Sequence, residues 1–103
     1  MTIRIPVLAA LLLLGAAPSR AQPFPVLGGY GFDWLKPDTA SCRPISRREA
    51  ERFQACRFEP SGNAFGLPSS HHSCKAPGRS ETLVYETRAQ CEAALETMRA
   101  NAP

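Results

Sequence analysis

Hydrophobic residues near the end of the chain recur with the period of an α-helix. Four of them follow the i, i+3, i+4, i+7 spacing that lines one helix face: Cys91, Ala94, Leu95 and Met98. Thr87 and Gln90 stand before this pattern in the spacing of a capping box, in which each side chain bonds the backbone N–H of the other residue. We predict a helix over about residues 88–100, with its apolar face packed against the rest of the domain.

A second capping box, Ser46 with Glu49, indicates an earlier helix over about residues 47–54. Three segments between the two helices have the alternation or composition of β-strands: 55–59, 70–75 and 81–86. The Pro77-Gly78 pair predicts a hairpin turn between the last two strands. This order predicts a small α+β domain (α-β-β-β-α), in which a short antiparallel three-stranded sheet is flanked by two helices.

The stretch before these elements, residues 22–41, is rich in proline and glycine yet holds half of the aromatic residues. We expect an extended arm that packs on the domain and is anchored by Trp34 and Leu35. Tyr30, Phe32 and Trp34 alternate along it, so an extended backbone would present their rings on one side. The row favours completion of the core, or a strand added to the sheet. The functional alternative is a stacking surface for a sugar or peptide.

The start of the chain has the three-part pattern of a secretory signal. Arg4 gives a positive start, and an uncharged run rich in Leu and Ala extends from Ile5 to Ala17. Ser19 and Ala21 then place small residues before a cleavage site. A retained membrane anchor is the alternative, but it would need about 20 apolar residues. We predict that residues 1–21 are removed, leaving a secreted or periplasmic protein without a transmembrane segment.

All four cysteines lie after this signal, at Cys42, Cys56, Cys74 and Cys91. An even number in a short exported chain predicts two disulfides, which cross-link residues 42–103 into one domain. Three connectivities are possible. We favour Cys74–Cys91, because it ties the buried face of the last helix to the sheet, together with Cys42–Cys56. The main alternative is Cys42–Cys91 with Cys56–Cys74, which would join adjacent strands.

The net charge of +3 falls to +1 when Arg4 and Arg20 leave with the signal. Overall charge therefore indicates no particular partner and argues against nucleic acid. Locally, five arginines cluster around the first predicted helix: Arg43, Arg47, Arg48, Arg52 and Arg57. They are candidates for contact with an anionic surface such as an envelope polymer or a lipid headgroup. The structural alternative is a solvated helix face, with ion pairs such as Arg47–Glu51 and Glu49–Arg52.

His71, His72 and Cys74 suggest metal ligands by residue type. Adjacent residues on a strand point to opposite faces, however, and a disulfide sulfur is no zinc ligand. We therefore predict no metal and an exposed polar histidine pair. The sequence contains no G-x-S-x-G elbow, C-x-x-C pair or phosphate-binding glycine motif. We assign no catalytic residue and no cofactor.

These features favour an exported, non-enzymatic binding or structural module. Its partner would be a protein or a cell-envelope component, contacted through the arm, the loop 60–69 or the arginine cluster. The alternative is a secreted enzyme inhibitor, or less favourably a small secreted enzyme. An inhibitor would present a protruding, disulfide-pinned loop, and the loop 60–69 between Cys56 and Cys74 fits that requirement loosely.

Overall fold

The computed structural model describes residues 22–101, so the predicted signal peptide, residues 1–21, lies outside the described residues. The fold is a small α+β arrangement. Its elements are β1 (Tyr30–Asp33), β2 (Arg43–Pro44), α1 (Arg47–Arg52), β3 (Ala55–Glu59), a short 3₁₀ turn (Ala64–Gly66), β4 (His71–Ala76), β5 (Ser80–Tyr85) and α2 (Arg88–Asn101).

Helix α2 confirms the prediction from the hydrophobic pattern. The Thr87 N–H donates to Gln90 Oε1 and the Gln90 N–H donates to Thr87 Oγ1, each at 3.2 Å. The four residues of the apolar pattern are the buried residues of this helix. Within residues 22–101, no helix is long and apolar enough to cross a bilayer.

Helix α1 is shorter than predicted, because Phe53 leaves the helical region and ends it. Its predicted capping box is only half formed. Ser46 Oγ accepts from the Glu49 N–H at 3.2 Å. The Glu49 carboxylate, however, receives the guanidinium of Arg43 from the neighbouring strand instead of capping Ser46. The helix is therefore fixed to the sheet by an ion pair that the local sequence pattern does not reveal.

The sheet is antiparallel with five strands in the order β2-β1-β5-β4-β3, so the three-stranded prediction was too small. The two additional strands come from the arm and the residues after it. β1 pairs with β5, with Tyr30 opposite Tyr85 and Phe32 opposite Leu83. Gly31 permits this close approach, because a Cβ there would lie 2.8 Å from the carbonyl oxygen of Leu83.

Alternation along β5 divides the core between the two faces of the sheet. Leu83 and Tyr85 face α2, while Val84 faces the α1 side. The larger cluster, on the α2 side, contains Phe32, Ala40, Leu83, Tyr85, Cys91, Ala94, Leu95 and Met98. The smaller cluster, on the α1 side, contains Phe24, Ile45, Cys74 and Val84. Each face of the sheet is therefore covered, by α2 on one side and by α1 with the arm on the other.

The disulfides are Cys42–Cys91 and Cys56–Cys74, so the favoured pairing Cys42–Cys56 with Cys74–Cys91 was wrong. Cys74 belongs to the smaller cluster, on the sheet face away from α2, and cannot meet Cys91. It lies directly opposite Cys56 in the β3–β4 register, with a Cα–Cα distance of 4.1 Å. Cys91 instead reaches Cys42, at the end of the arm, with a Cα–Cα distance of 6.1 Å.

We predict that the Cys42–Cys91 bond stabilises the fold more than the Cys56–Cys74 bond. The cysteines of the two bonds are 49 and 18 residues apart in sequence. Loop-closure entropy then gives about 4 kcal/mol for the first and about 3 kcal/mol for the second. Urea unfolding of the double variants C42A/C91A and C56A/C74A measures both losses. An equal loss of stability in the two variants, or a larger loss in C56A/C74A, would contradict the prediction.

Candidate functional site

The five candidate arginines do not form one surface. Arg43, Arg48 and Arg52 line a groove between α1 and the β4–β5 end of the sheet, with a volume of about 330 Å³. Arg47 and Arg57 are exposed outside it, and Arg57 pairs with Glu59 at 3.2 Å. The complete lining is Lys36, Arg43, Ser46, Arg48, Glu49, Arg52, Phe53, Ala76, Pro77, Ser80 and Thr82. We call this feature the basic groove.

Lys36 is the cation of the basic groove that the sequence did not indicate. It follows β1, and its Nζ donates to the carbonyl oxygen of Gly78 at 3.2 Å. The Asp33 carboxylate lies 3.7 Å from the same Nζ. Burial opposes ionisation of Asp33, but bonds from the Ser80 hydroxyl and from backbone N–H groups hold its pKa below the ordinary value. The charge of Lys36 is therefore partly balanced.

The charge of Arg43 is also balanced. Its Nε donates to Glu49 Oε1 at 3.2 Å, and its Nη2 donates to Glu49 Oε2. This two-point contact fixes the guanidinium against α1. It also uses the carboxylate that the predicted Glu49–Arg52 pair would need. Neither that pair nor Arg47–Glu51 is among the ion pairs formed by residues 22–101.

Arg48 and Arg52 are the groove cations without an acidic partner among the described residues. They stand four residues apart on α1 and therefore lie on the same side of the helix. They share the groove lining with hydroxyl groups and with one carboxylate already engaged by Arg43. Two open guanidinium forks at one groove suit an anion such as a phosphate or carboxylate.

The three aromatic residues of the alternating row differ in burial. Phe32 is fully buried and its ring lies 6.4 Å from that of Tyr85. Tyr30 is half-buried beneath the guanidinium of Arg88, which lies 5.0 Å from the ring centroid. Only Trp34 of the three is exposed, because β1 ends at Asp33. The proposed stacking surface therefore reduces to one indole.

Trp34 and Leu35 do not anchor the arm, contrary to expectation. They are 38% and 45% exposed. The residues that anchor the arm are Phe24 and Phe32, one in each hydrophobic cluster. Trp34 is held at the surface instead, where its Nε1–H donates to Glu81 Oε1 at 2.7 Å.

His71 and His72 lie on opposite faces of β4. Both are buried, so the expectation of an exposed pair was wrong. His72 packs against the rings of Phe24 and Phe58, and its Nε2–H donates to the Phe24 carbonyl oxygen at 2.6 Å. His71 lies on the other face, with its ring centroid 5.4 Å from that of Tyr85. Within residues 22–101, no group of three potential ligands could hold a metal ion.

The loop 60–69 folds onto the larger cluster instead of protruding. Ala64, Phe65 and Leu67 pack against that cluster, and the Phe65 ring stacks with Phe32 at 6.3 Å. The Asn63 N–H also donates to the Leu67 carbonyl oxygen at 2.8 Å, which closes the loop on itself. This packing counts against the protruding binding loop that an enzyme inhibitor would need.

His71 makes stability depend on pH. Burial is the main cause that lowers its pKa from 6.5, and its Nδ1 has no hydrogen-bond partner. The unfolded chain therefore takes up this proton more readily than the folded protein. We predict that the contribution of His71 to stability is present above about pH 6.5 and is lost as the pH falls toward its lower folded-state pKa.

The variant His71→Phe should remove this part of the pH dependence, measured as the free energy of unfolding in urea between pH 7 and pH 5. Tyr85→Phe is the control: burial raises the pKa of Tyr85 to about 12, so its hydroxyl stays neutral over this range. That hydroxyl is also buried without a partner, so its removal should cost little. An unchanged pH dependence in His71→Phe would disprove the role of His71.

Comparisons with models of protein families, with curated proteins and with solved structures found no match to this chain.

Proposed function

We propose that this protein is an exported, non-enzymatic binding module that holds an anionic group of a cell-envelope component in the basic groove. The observation that carries the proposal is the pair of guanidinium groups, Arg48 and Arg52, that share the groove without an acidic partner. Charge-assisted hydrogen bonds from such groups typically contribute about 1.5–3 kcal/mol each.

Both walls of the groove are packed against the rest of the domain, which favours binding. On one side, Ala50 and Phe53 of the α1 segment pack against the smaller hydrophobic cluster. On the other, Thr82 of β5 is 1% exposed and lies in the middle of the sheet. Because the backbone of both walls is packed, the conformational entropy lost on binding would be mainly that of the exposed Arg48 and Arg52 side chains.

Export supports the choice of partner. Two disulfides persist most readily in an oxidising compartment. The leader pattern of residues 1–21 predicts delivery to such a compartment. There the anionic groups that a small basic site meets are those of envelope polymers and lipid headgroups. The loop 60–69, which the inhibitor alternative requires as a projecting element, is packed and gives that alternative no support.

We predict that tripolyphosphate, a small soluble polyanion, binds at this groove. In an NMR titration of the oxidised protein comprising residues 22–103, the backbone amides of α1, Ser80 and Thr82 should shift most. Replacing Arg48 and Arg52 with Gln should raise the dissociation constant about a hundredfold or more, because two charge-assisted contacts are lost. Added salt should also weaken binding.

The matched control is the double variant R47Q/R57Q, which removes the same charge from outside the groove. Its dissociation constant should change less than threefold. If both double variants lose affinity equally, or if the amide shifts are spread over the whole surface, the anion is attracted by general charge and the proposed site is wrong.

A further inference from the structure

We propose that the basic groove docks on the surface of an anionic lipid bilayer, with Trp34 and Leu35 inserted between the headgroups. This inference rests on the proposed function and names its partner. The groove would hold lipid phosphates, while the two apolar side chains beside it would enter the boundary between headgroups and acyl chains.

Trp34 and Leu35, which we call the apolar tip, are held at the protein surface by specific hydrogen bonds. The Trp34 backbone N–H donates to the Glu81 carbonyl oxygen at 3.1 Å, and its indole donates to the carboxylate of the same residue at 2.7 Å. The Leu35 N–H donates to Asp33 Oδ1 at 3.0 Å. These bonds keep the tip exposed at the end of β1. The exposed large hydrophobic residues among those described are Leu27, Trp34 and Leu35, so two of the three are adjacent.

The tip is continuous with the basic groove. Leu35 lines a second shallow cavity of about 220 Å³, whose charged residues are Lys75, Arg79 and Glu81, the carboxylate that the Trp34 indole engages. Ala76 and Ser80 line both this cavity and the basic groove, so the two share a wall. Neither Lys75 nor Arg79 forms an ion pair within residues 22–101. On the side of the groove, the exposed apolar tip is thus bordered by two cations and by one carboxylate that is bonded to the indole.

This combination fits an anionic membrane better than a soluble anion. Tryptophan is enriched at membrane–water interfaces, because its ring is apolar while its N–H remains bonded to a polar group. Basic side chains near an anionic bilayer strengthen attachment roughly fivefold each. A soluble polyanion would use the cations but would gain nothing from burying Trp34 and Leu35. The lipid surface uses both features.

Trp34 is the single tryptophan of the protein, so its fluorescence reports on the tip alone. The oxidised protein comprising residues 22–103 is mixed with vesicles of phosphatidylglycerol and phosphatidylcholine, or with vesicles of phosphatidylcholine alone. We expect the anionic vesicles to shift the emission to shorter wavelength, and brominated acyl chains to quench it. Unshifted, unquenched emission from protein that co-sediments with the vesicles would overturn insertion.

Co-sedimentation then compares Leu35→Ala with Leu27→Ala, a control residue that is 43% exposed and lines neither cavity. Leu35→Ala and Trp34→Ala should each weaken vesicle binding about tenfold, and Leu27→Ala less than twofold. Circular dichroism checks that each variant is folded. Equal effects of Leu35→Ala and Leu27→Ala would refute the assigned tip.

The vesicle and tripolyphosphate measurements separate the two proposals. Binding of tripolyphosphate at Arg48 and Arg52 without binding to anionic vesicles would refute the lipid partner and leave the anion site standing. A soluble envelope polymer would then be the partner. Failure to bind either probe would refute both proposals. Vesicle binding that requires Arg48, Arg52 and Leu35 together supports the lipid partner.

Discussion

The pairing of β1 with β5 is the constraint on which the rest of the structure depends. It turns a chain segment rich in glycine and proline into part of the sheet and inserts Phe32 into the larger cluster. The Cys42–Cys91 bond fixes the far end of the same segment to α2. Arg99 adds a hydrogen bond to the carbonyl oxygen of Ala40, near that bond. Without this docking, the domain would lose a wall of its core.

The same pairing builds the candidate site, which no single element contains. Lys36 comes from the connection after β1, Arg43 from β2, and Arg48 with Arg52 from α1. Formation of the Arg43–Glu49 pair determines which guanidinium groups stay free for a ligand. The two faces of the sheet have different roles. On one face, α2 covers the larger cluster; the α1 side carries the groove and, at its border, the apolar tip.

Local patterns predicted local structure well. The α2 helix was predicted because its periodicity and its capping box are both contained in the residues that form it. The disulfide pairing and the two extra strands depend on which sheet face each residue occupies and on partners far along the chain. The unpaired state of Arg52 likewise depends on the Arg43–Glu49 ion pair, a contact between a strand and a helix. No sequence pattern indicated that Lys36 belongs to the site, since only the fold brings it to the groove.

The most direct test of this account is disulfide mapping of the oxidised protein by mass spectrometry after tryptic digestion. Trypsin places each cysteine on a separate peptide, with Cys56 in 53–57, Cys74 in 58–75 and Cys91 in 89–99. We expect peptide 53–57 to be linked to 58–75, and the peptide that contains Cys42 to be linked to 89–99. A link between the peptides of Cys42 and Cys56 would contradict the docking of the arm and the groove built on it.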